Sequence, residues 1–225
     1  MKNYVLVSEK QWHLSLFNRL NREDDNNWVL INRKEDFNRE NLSKINPDMV
    51  FIPHWSHIIK EDVFSKFCCV VFHMTDLPYG RGGSPLQNLI VLGHDSTKIS
   101  ALRVSKGIDE GAIYLKKDLS LSGTAQEIFM RSTEIIFSMI KVIIDNNVEP
   151  TPQVGEVVKF KRRKPADGDI SNLKSLKEIF DYIRMLDAEG YPNAFLEMGE
   201  FRFEFSRVNY ESTHTILADV RITKK

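Results

Sequence analysis

Chemistry is concentrated in the stretch FHMTDLPYGRGGSPLQN, Phe72 to Asn88. His73 can exchange a proton near neutral pH, Thr75 adds a hydroxyl, and Gly80, Gly82 and Gly83 crowd around Arg81. Glycines beside an arginine first suggest a phosphate cradle. A loop of the GxxxxGK[ST] type needs a lysine followed directly by a hydroxyl, and YGRGGSP does not supply that pair; nor does GxGxxG follow the first strand. Two readings remain, a glycine turn that redirects the chain around a structural histidine, or the floor of an active site headed by His73. A second polar cluster, PHWSH (Pro53 to His57), puts His54 and His57 three residues apart. No third ligand of suitable type lies nearby, so no metal is expected.

The elements that must position these residues follow from periodicity. KNYVLVSE, NNWVLIN, DMVFIPHWS and CCVVFH read as strands, and they alternate with helical patterns in QWHLSLFNRLNR, RENLSKINP and EDVFSKF. That alternation predicts an α/β, Rossmann-like, mostly parallel sheet with helices on both faces. Ligands in such sheets collect beyond the carboxyl ends of the strands, where both polar clusters fall. PLQNLIVLGHD continues as a helix, and ISALRVSKGID and GAIYLKKDLSL are strands joined near Gly107 and Asp109. TAQEIFMRSTEIIFSMIKVIIDNN has Thr124 and Glu127 at capping-box spacing ahead of a wide apolar face. Three prolines and a basic run in VEPTPQVGEVVKFKRRKPADGDI mark a surface linker, with a boundary near Pro150 that divides the chain into 1–150 and 151–225. The remainder holds the helix SLKEIFDYIRMLD and the strand-like FRFEFSRVNY and THTILADVRI, a small C-terminal α+β subdomain.

Composition bounds the function class. With 225 residues, 42% hydrophobic, the chain can bury one full core plus an appendage. Lys+Arg and Asp+Glu are both 31, so no global field draws the protein to nucleic acid or an anionic membrane, and a small-molecule substrate is expected. The N-terminal apolar run is too short and too soon interrupted for a signal peptide, which gives a cytoplasmic expectation. Cys68 and Cys69 are adjacent, on opposite faces of a strand, and are read as reduced thiols.

The order His73, Thr75, Leu77-Pro78, Arg81-Gly82, Pro85 resembles the pattern Asn-x-His-x-Ser-Leu-Leu-Pro-x-x-Arg-Gly-x-x-Pro of the folate-dependent formyltransferases. A second signature of that family, Gly-Leu/Ile-Asp-Thr-Gly-Asp-Ile, is matched by GIDEGAI, which puts Asp109 on the family's catalytic aspartate. The resemblance implies transfer of a formyl group from N10-formyltetrahydrofolate to a primary amine. His73 would act as base or charge stabiliser, worth ~10²–10⁴ in rate, and Asp109 would orient it. It also implies a folate site formed by Trp55, Ser56, Ile58, Arg81, Gly82, Val104, Ser105 and Gly107, recognised largely through backbone groups, with Trp55 as a wall of the pterin pocket. A salt bridge pinning the loop is an equal reading of Arg81. One position departs from the pattern: the family's asparagine two residues before the histidine is Val71 here. An unreplaced oxyanion donor costs on the order of 10²–10³ in rate, and His54, Ser56, His57 or a backbone amide are the candidate substitutes.

The stretches KRRKPADGDI, EIFDYIR and GYPNAF are similar to the region after the catalytic domain in bacterial sugar-nucleotide N-formyltransferases. That likeness implies an acceptor amine on a nucleotide-linked amino sugar, such as a 4-amino-4,6-dideoxy hexose for surface polysaccharide biosynthesis. The partner expectation is then a nucleotide sugar, with no nucleic acid, no membrane and a homodimer as an open option. Methionyl-tRNA, a carrier-bound amino acid, and a catalytically silent binding module are the alternatives.

Overall fold

A computed structural model describes residues 1–23 and 25–225. In chain order the elements are β1 (Asn3–Val7), α1 (His13–Glu23), β2 (Asn27–Ile31), α2 (Arg39–Ile45), β3 (Met49–Ile52), α3 (Glu61–Phe64), β4 (Cys69–His73) and β5 (Arg81–Gly82). There follow α4 (Pro85–Val91), β6 (Ser96–Arg103), β7 (Ile113–Ser120), α5 (Ala125–Asp145), β8 (Lys159–Phe160), α6 (Leu176–Leu186), β9 (Ala194–Met198), β10 (Phe201–Ser212) and β11 (Thr215–Lys224). The main sheet has the order β2-β1-β3-β4-β6-β7, in which β2, β1, β3 and β4 are parallel and β6 runs antiparallel to β4. This is the mostly parallel Rossmann-like α/β fold read from the sequence.

Register explains why both faces of the sheet must be covered. Val29, Val5, Val50 and Cys69 are in register across four strands and share one apolar face. The opposite face carries Tyr4, Trp28, Phe51 and Phe72, whose rings meet at centroid distances of 5.0 to 6.5 Å. Strands apolar on both sides need helices on both sides. Burial on the first face pushes the Cys69 thiol up to about 12. The chain reverses its winding direction between β1 and β3, so the switch point lies where the Ser8–Trp12 and Pro53–His57 loops leave the sheet.

Contacts group the chain into two compact units that interleave in sequence. One comprises Met1–Gly82, Thr97–Leu119 and Met130–Lys159; the other comprises Gly83–Ser96, Ser120–Phe129 and Phe160–Lys225. In the second unit β9, β10 and β11 form an antiparallel sheet, with β10 central. Its helix α6 starts in a capping box between Ser175 and Glu178. A buried Asp181–Arg184 pair at 2.7 Å fixes α6 to the carbonyls of Leu121 and Gly123, which accept from Arg184 Nη1 at 2.6 and 3.0 Å. Strand β9 was not singled out from the sequence, because AFLEM lacks a clean alternation. Among the described residues, no helix is long and apolar enough to cross a membrane.

Candidate active site

His73 is the last residue of β4, an interior strand, and its side chain is on the same face as Val71. The ring is buried, and each nitrogen faces an oxygen. Nε2 is 2.8 Å from the Gly80 carbonyl, so Nε2–H donates there. Nδ1 is 3.5 Å from Asp109 Oδ2. With Nε2 committed, a proton on Nδ1 points at the Asp109 carboxylate. Both N–H groups of the doubly protonated ring therefore have acceptors, which suits a charge stabiliser as well as a base.

The loop that supplies Gly80 is held from several sides. Ser100 on β6 donates through Oγ to the Thr75 carbonyl at 2.7 Å and accepts from the Leu77 amide at 3.3 Å. The Gly80 and Arg81 amides both donate to the Val158 carbonyl, at 2.9 and 3.0 Å. Gly82, at φ +112°, occupies backbone space that a side chain rarely enters, and its amide donates to Asp109 Oδ2 at 2.9 Å. The glycines therefore shape the backbone rather than cradle a phosphate. Asp109 itself adopts φ +53° in the turn between β6 and β7.

Arg81 is not simply pinned by an ion pair. Its Nη1 is 3.3 Å from Glu110, but Nε and Nη2 both donate to Gln153 Oε1, at 3.1 and 2.9 Å. Gln153 Nε2 in turn donates to the carbonyls of Asp109 and Gly111, each at 2.8 Å. In the sequence this glutamine lies within the proline-rich surface linker. Its one signal is position, a lone amide beside Pro152 in an extended segment.

Of the expected folate-site residues, the structure joins Arg81 and Gly82 to the His73–Asp109 pair through this network. Trp55 and Val104 are half-buried and pack, with Val71, against the apolar cluster around Val50 and Cys69. Trp55 also meets Phe37 edge-on at 5.4 Å. Ser56, Ile58 and Ser105 are exposed on their loops, and Gly107 is half-buried in the turn before Asp109. An aromatic wall beside hydrocarbon, with neighbouring backbone groups, fits one face of a flat heteroaromatic ring. At the position of the family asparagine, Val71 presents only hydrocarbon. Of the proposed substitutes, His57 Nε2 engages Glu9 at 3.1 Å, and His54 packs edge-on against Trp12 at 6.2 Å. Among the described residues no group of three or more His, Cys, Asp or Glu could hold a metal ion.

The switch point holds a second polar group that sequence reading missed. Ser8 Oγ is 2.7 Å from His13 Nδ1, both nearly fully buried, and the Lys10 amide donates to Ser8 Oγ at 3.1 Å. Burial, then the nearby His54 and the Lys10 charge, lower His13 to about 3; burial, then Lys10, lowers His54 to about 4.

Fold and site together define a Rossmann-like α/β protein that presents a histidine–aspartate pair at the end of an interior strand. The methionyl-tRNA formyltransferase from Clostridium thermocellum has the same structure, with a TM-score of 0.98, 46% identity and coverage of 100% of both chains. The chain belongs to the formyltransferase family, whose members here are one-carbon transfer enzymes. A family model described as the methionyl-tRNA formyltransferase C-terminal domain matches residues 165–223. The methionyl-tRNA formyltransferase of Thermodesulfovibrio yellowstonii is 25% identical over 159 residues, covering 67% of this chain and 52% of that protein. The chain spans about half the length of that relative.

These findings overturn the expected sugar-nucleotide type, and with it the surface-polysaccharide role and the exclusion of nucleic acid. A 4-N formyltransferase from Francisella tularensis shares 15% identity at a TM-score of 0.66, over 87% of this chain and 92% of that one, which is likeness of fold alone. Most of the stretch that prompted the sugar reading lies inside the segment matched by the methionyl-tRNA formyltransferase model. Net charge sums the whole chain and is blind to where the charges lie. Screening over ~8 Å at physiological salt means that a polyanion feels local charge, and Lys161, Arg162, Arg163 and Lys164 are consecutive. Three of the four are exposed, while Arg163 is held by the Asp167 carbonyl at 2.8 Å and over the Tyr182 ring.

Proposed function

We propose that the chain transfers a formyl group from N10-formyltetrahydrofolate to the α-amino group of methionine carried on tRNA, in the cytoplasm. The reading rests on the full-length 46% identity to the Clostridium thermocellum protein. The His73–Asp109 geometry supports it. The folate supplies an electrophilic formyl carbon. As the amine bonds to the formyl carbon and the carbon–N10 bond breaks, His73 takes the proton that the amine loses and N10 leaves protonated, while Gly80 holds Nε2–H. Asp109 faces the resulting imidazolium and keeps the ring from rotating. Trp55, Val71 and Val104 form the apolar wall on the folate side, and Arg81 and Gly82 shape the loop next to it. The division expected near residue 150 is part of this proposal, with the catalytic domain in 1–150 and a linker and small subdomain in 151–225.

Purified protein incubated with N10-formyltetrahydrofolate and methionyl-tRNA should yield formylmethionyl-tRNA, and His73→Ala should lower kcat by ~10²–10⁴-fold. Absence of formyl transfer by the parent protein under conditions where the Clostridium thermocellum enzyme works would reject the reading.

A further inference from the structure

We infer that Gln153 is a positioning residue, which sets the Asp109 turn against His73 and joins it to the Arg81 loop. This rests on the formyl-transfer reading above. A carboxamide has two N–H donors and two acceptor lone pairs, and Gln153 uses all four. Its N–H groups go to the carbonyls of Asp109 and Gly111, and its oxygen takes two N–H groups from Arg81. The donated bonds reach back 44 and 42 residues and the accepted ones 72, so one side chain ties two earlier segments to its own.

Asp109 needs such a tie. A non-glycine residue at φ +53° is strained by ~1–3 kcal/mol, and the turn keeps that conformation only if its surroundings over-determine it. Its carboxylate is shared between the Gly82 amide at 2.9 Å and His73 Nδ1 at 3.5 Å. Gly111 admits no side chain, because a β-carbon there would fall 1.6 Å from the Arg103 carbonyl oxygen. Donation by Gln153 to the carbonyls of Asp109 and Gly111 ties the turn on both sides of Glu110. Half of the bridge, the donation, acts on Asp109; the other half acts on Arg81.

Two variants separate these halves. Gln153→Met keeps length and removes both halves; Gln153→Glu keeps acceptance from Arg81 but cannot donate to the two carbonyls. In the full chain, both should lower kcat roughly 10- to 100-fold, the scale of a small misplacement at a reacting centre, with KM for the folate changed less than about threefold. In an Asp109→Asn background neither should lower kcat further, because the group being positioned has been altered. Wild-type kcat in both variants would overturn the inference, as would an equal loss in the Asp109→Asn background, which is what a general structural role predicts. If Gln153→Met unfolds, Gln153→Glu alone carries the test, with thermal unfolding as the folding control. If the parent transfers no formyl group, the formyl-transfer reading fails; if His73→Ala and Asp109→Asn are impaired while Gln153 variants are not, only the positioning role fails.

Discussion

Acid should weaken this fold through two histidines at the switch point, and the size of the effect can be worked out. His13 is buried against Ser8 and lowered from 6.5 to about 3, and His54 is lowered from 6.5 to about 4, each chiefly by burial. Lys10 adds unfavourable charge to both, and His54 adds it to His13. Between the unfolded and folded values the unfolded chain binds protons that the native chain refuses. The stabilisation is therefore complete above about 6.5 and is lost as the pH falls toward 4 and then 3. At pH 5 each histidine alone costs about 2 kcal/mol relative to neutral pH, or about 4 kcal/mol together. Against a total stability of ~5–15 kcal/mol this is a large share. Urea unfolding at pH 7.5 and pH 5 measures it: with a slope near ~3 kcal/mol/M the midpoint should fall by more than about 1 M. His13→Gln/His54→Gln should lose much less between the two pH values, whatever its stability at neutral pH. An equal loss in the parent and the double variant would refute the reasoning, since it would place the acid-sensitive protons elsewhere.

Three other outcomes are expected. Asp181→Ala should destabilise the protein by ~3–5 kcal/mol in chemical denaturation, because it strands the buried Arg184 guanidinium with only carbonyl acceptors. Val71→Asn restores a neutral donor beside His73 and should raise kcat by about tenfold or more if the oxyanion is under-stabilised, at ~1–3 kcal/mol in stability, because Val71 packs against two apolar clusters; an unchanged kcat in folded protein would show that the donor is supplied elsewhere. Lys161→Ala/Lys164→Ala should weaken tRNA binding and flatten the plot of log affinity against log salt by roughly 2 units if both contact phosphates, and an unchanged slope in a filter-binding titration would place the phosphate contacts elsewhere.

The main sheet was legible because its rules are local. Val5, Val29 and Val50 sit in short apolar runs bounded by polar turns, and such runs alternating with amphipathic segments leave few packing solutions. The long helix α5 declared its own start through Thr124 and Glu127, whose backbone amides and side chains cap one another as the spacing requires. Strand β9 was missed because its existence depends on β10 rather than on its own pattern: Phe203 pairs with Leu196, and Phe205 with Ala194, so a neighbour supplies the reason for AFLEM to be extended.

At the candidate site the dividing line is the range over which a residue acts. His73 and Asp109 could be matched because each lies within a short recurring motif, and the structure places them 3.5 Å apart. Charge is different, since a sum over 62 ionic side chains outweighed a four-residue basic run that is plain in the sequence and that local screening makes visible to a polyanion. Gln153 is the extreme case, because an amide carries no charge, no unusual backbone demand and no motif. Its meaning comes entirely from four hydrogen bonds made to segments 42 to 72 residues away. Each such bond adds only ~0.5–1.5 kcal/mol to stability. What they contribute to function is the placement of a carboxylate, and placement is a property of the fold that no single stretch of sequence contains.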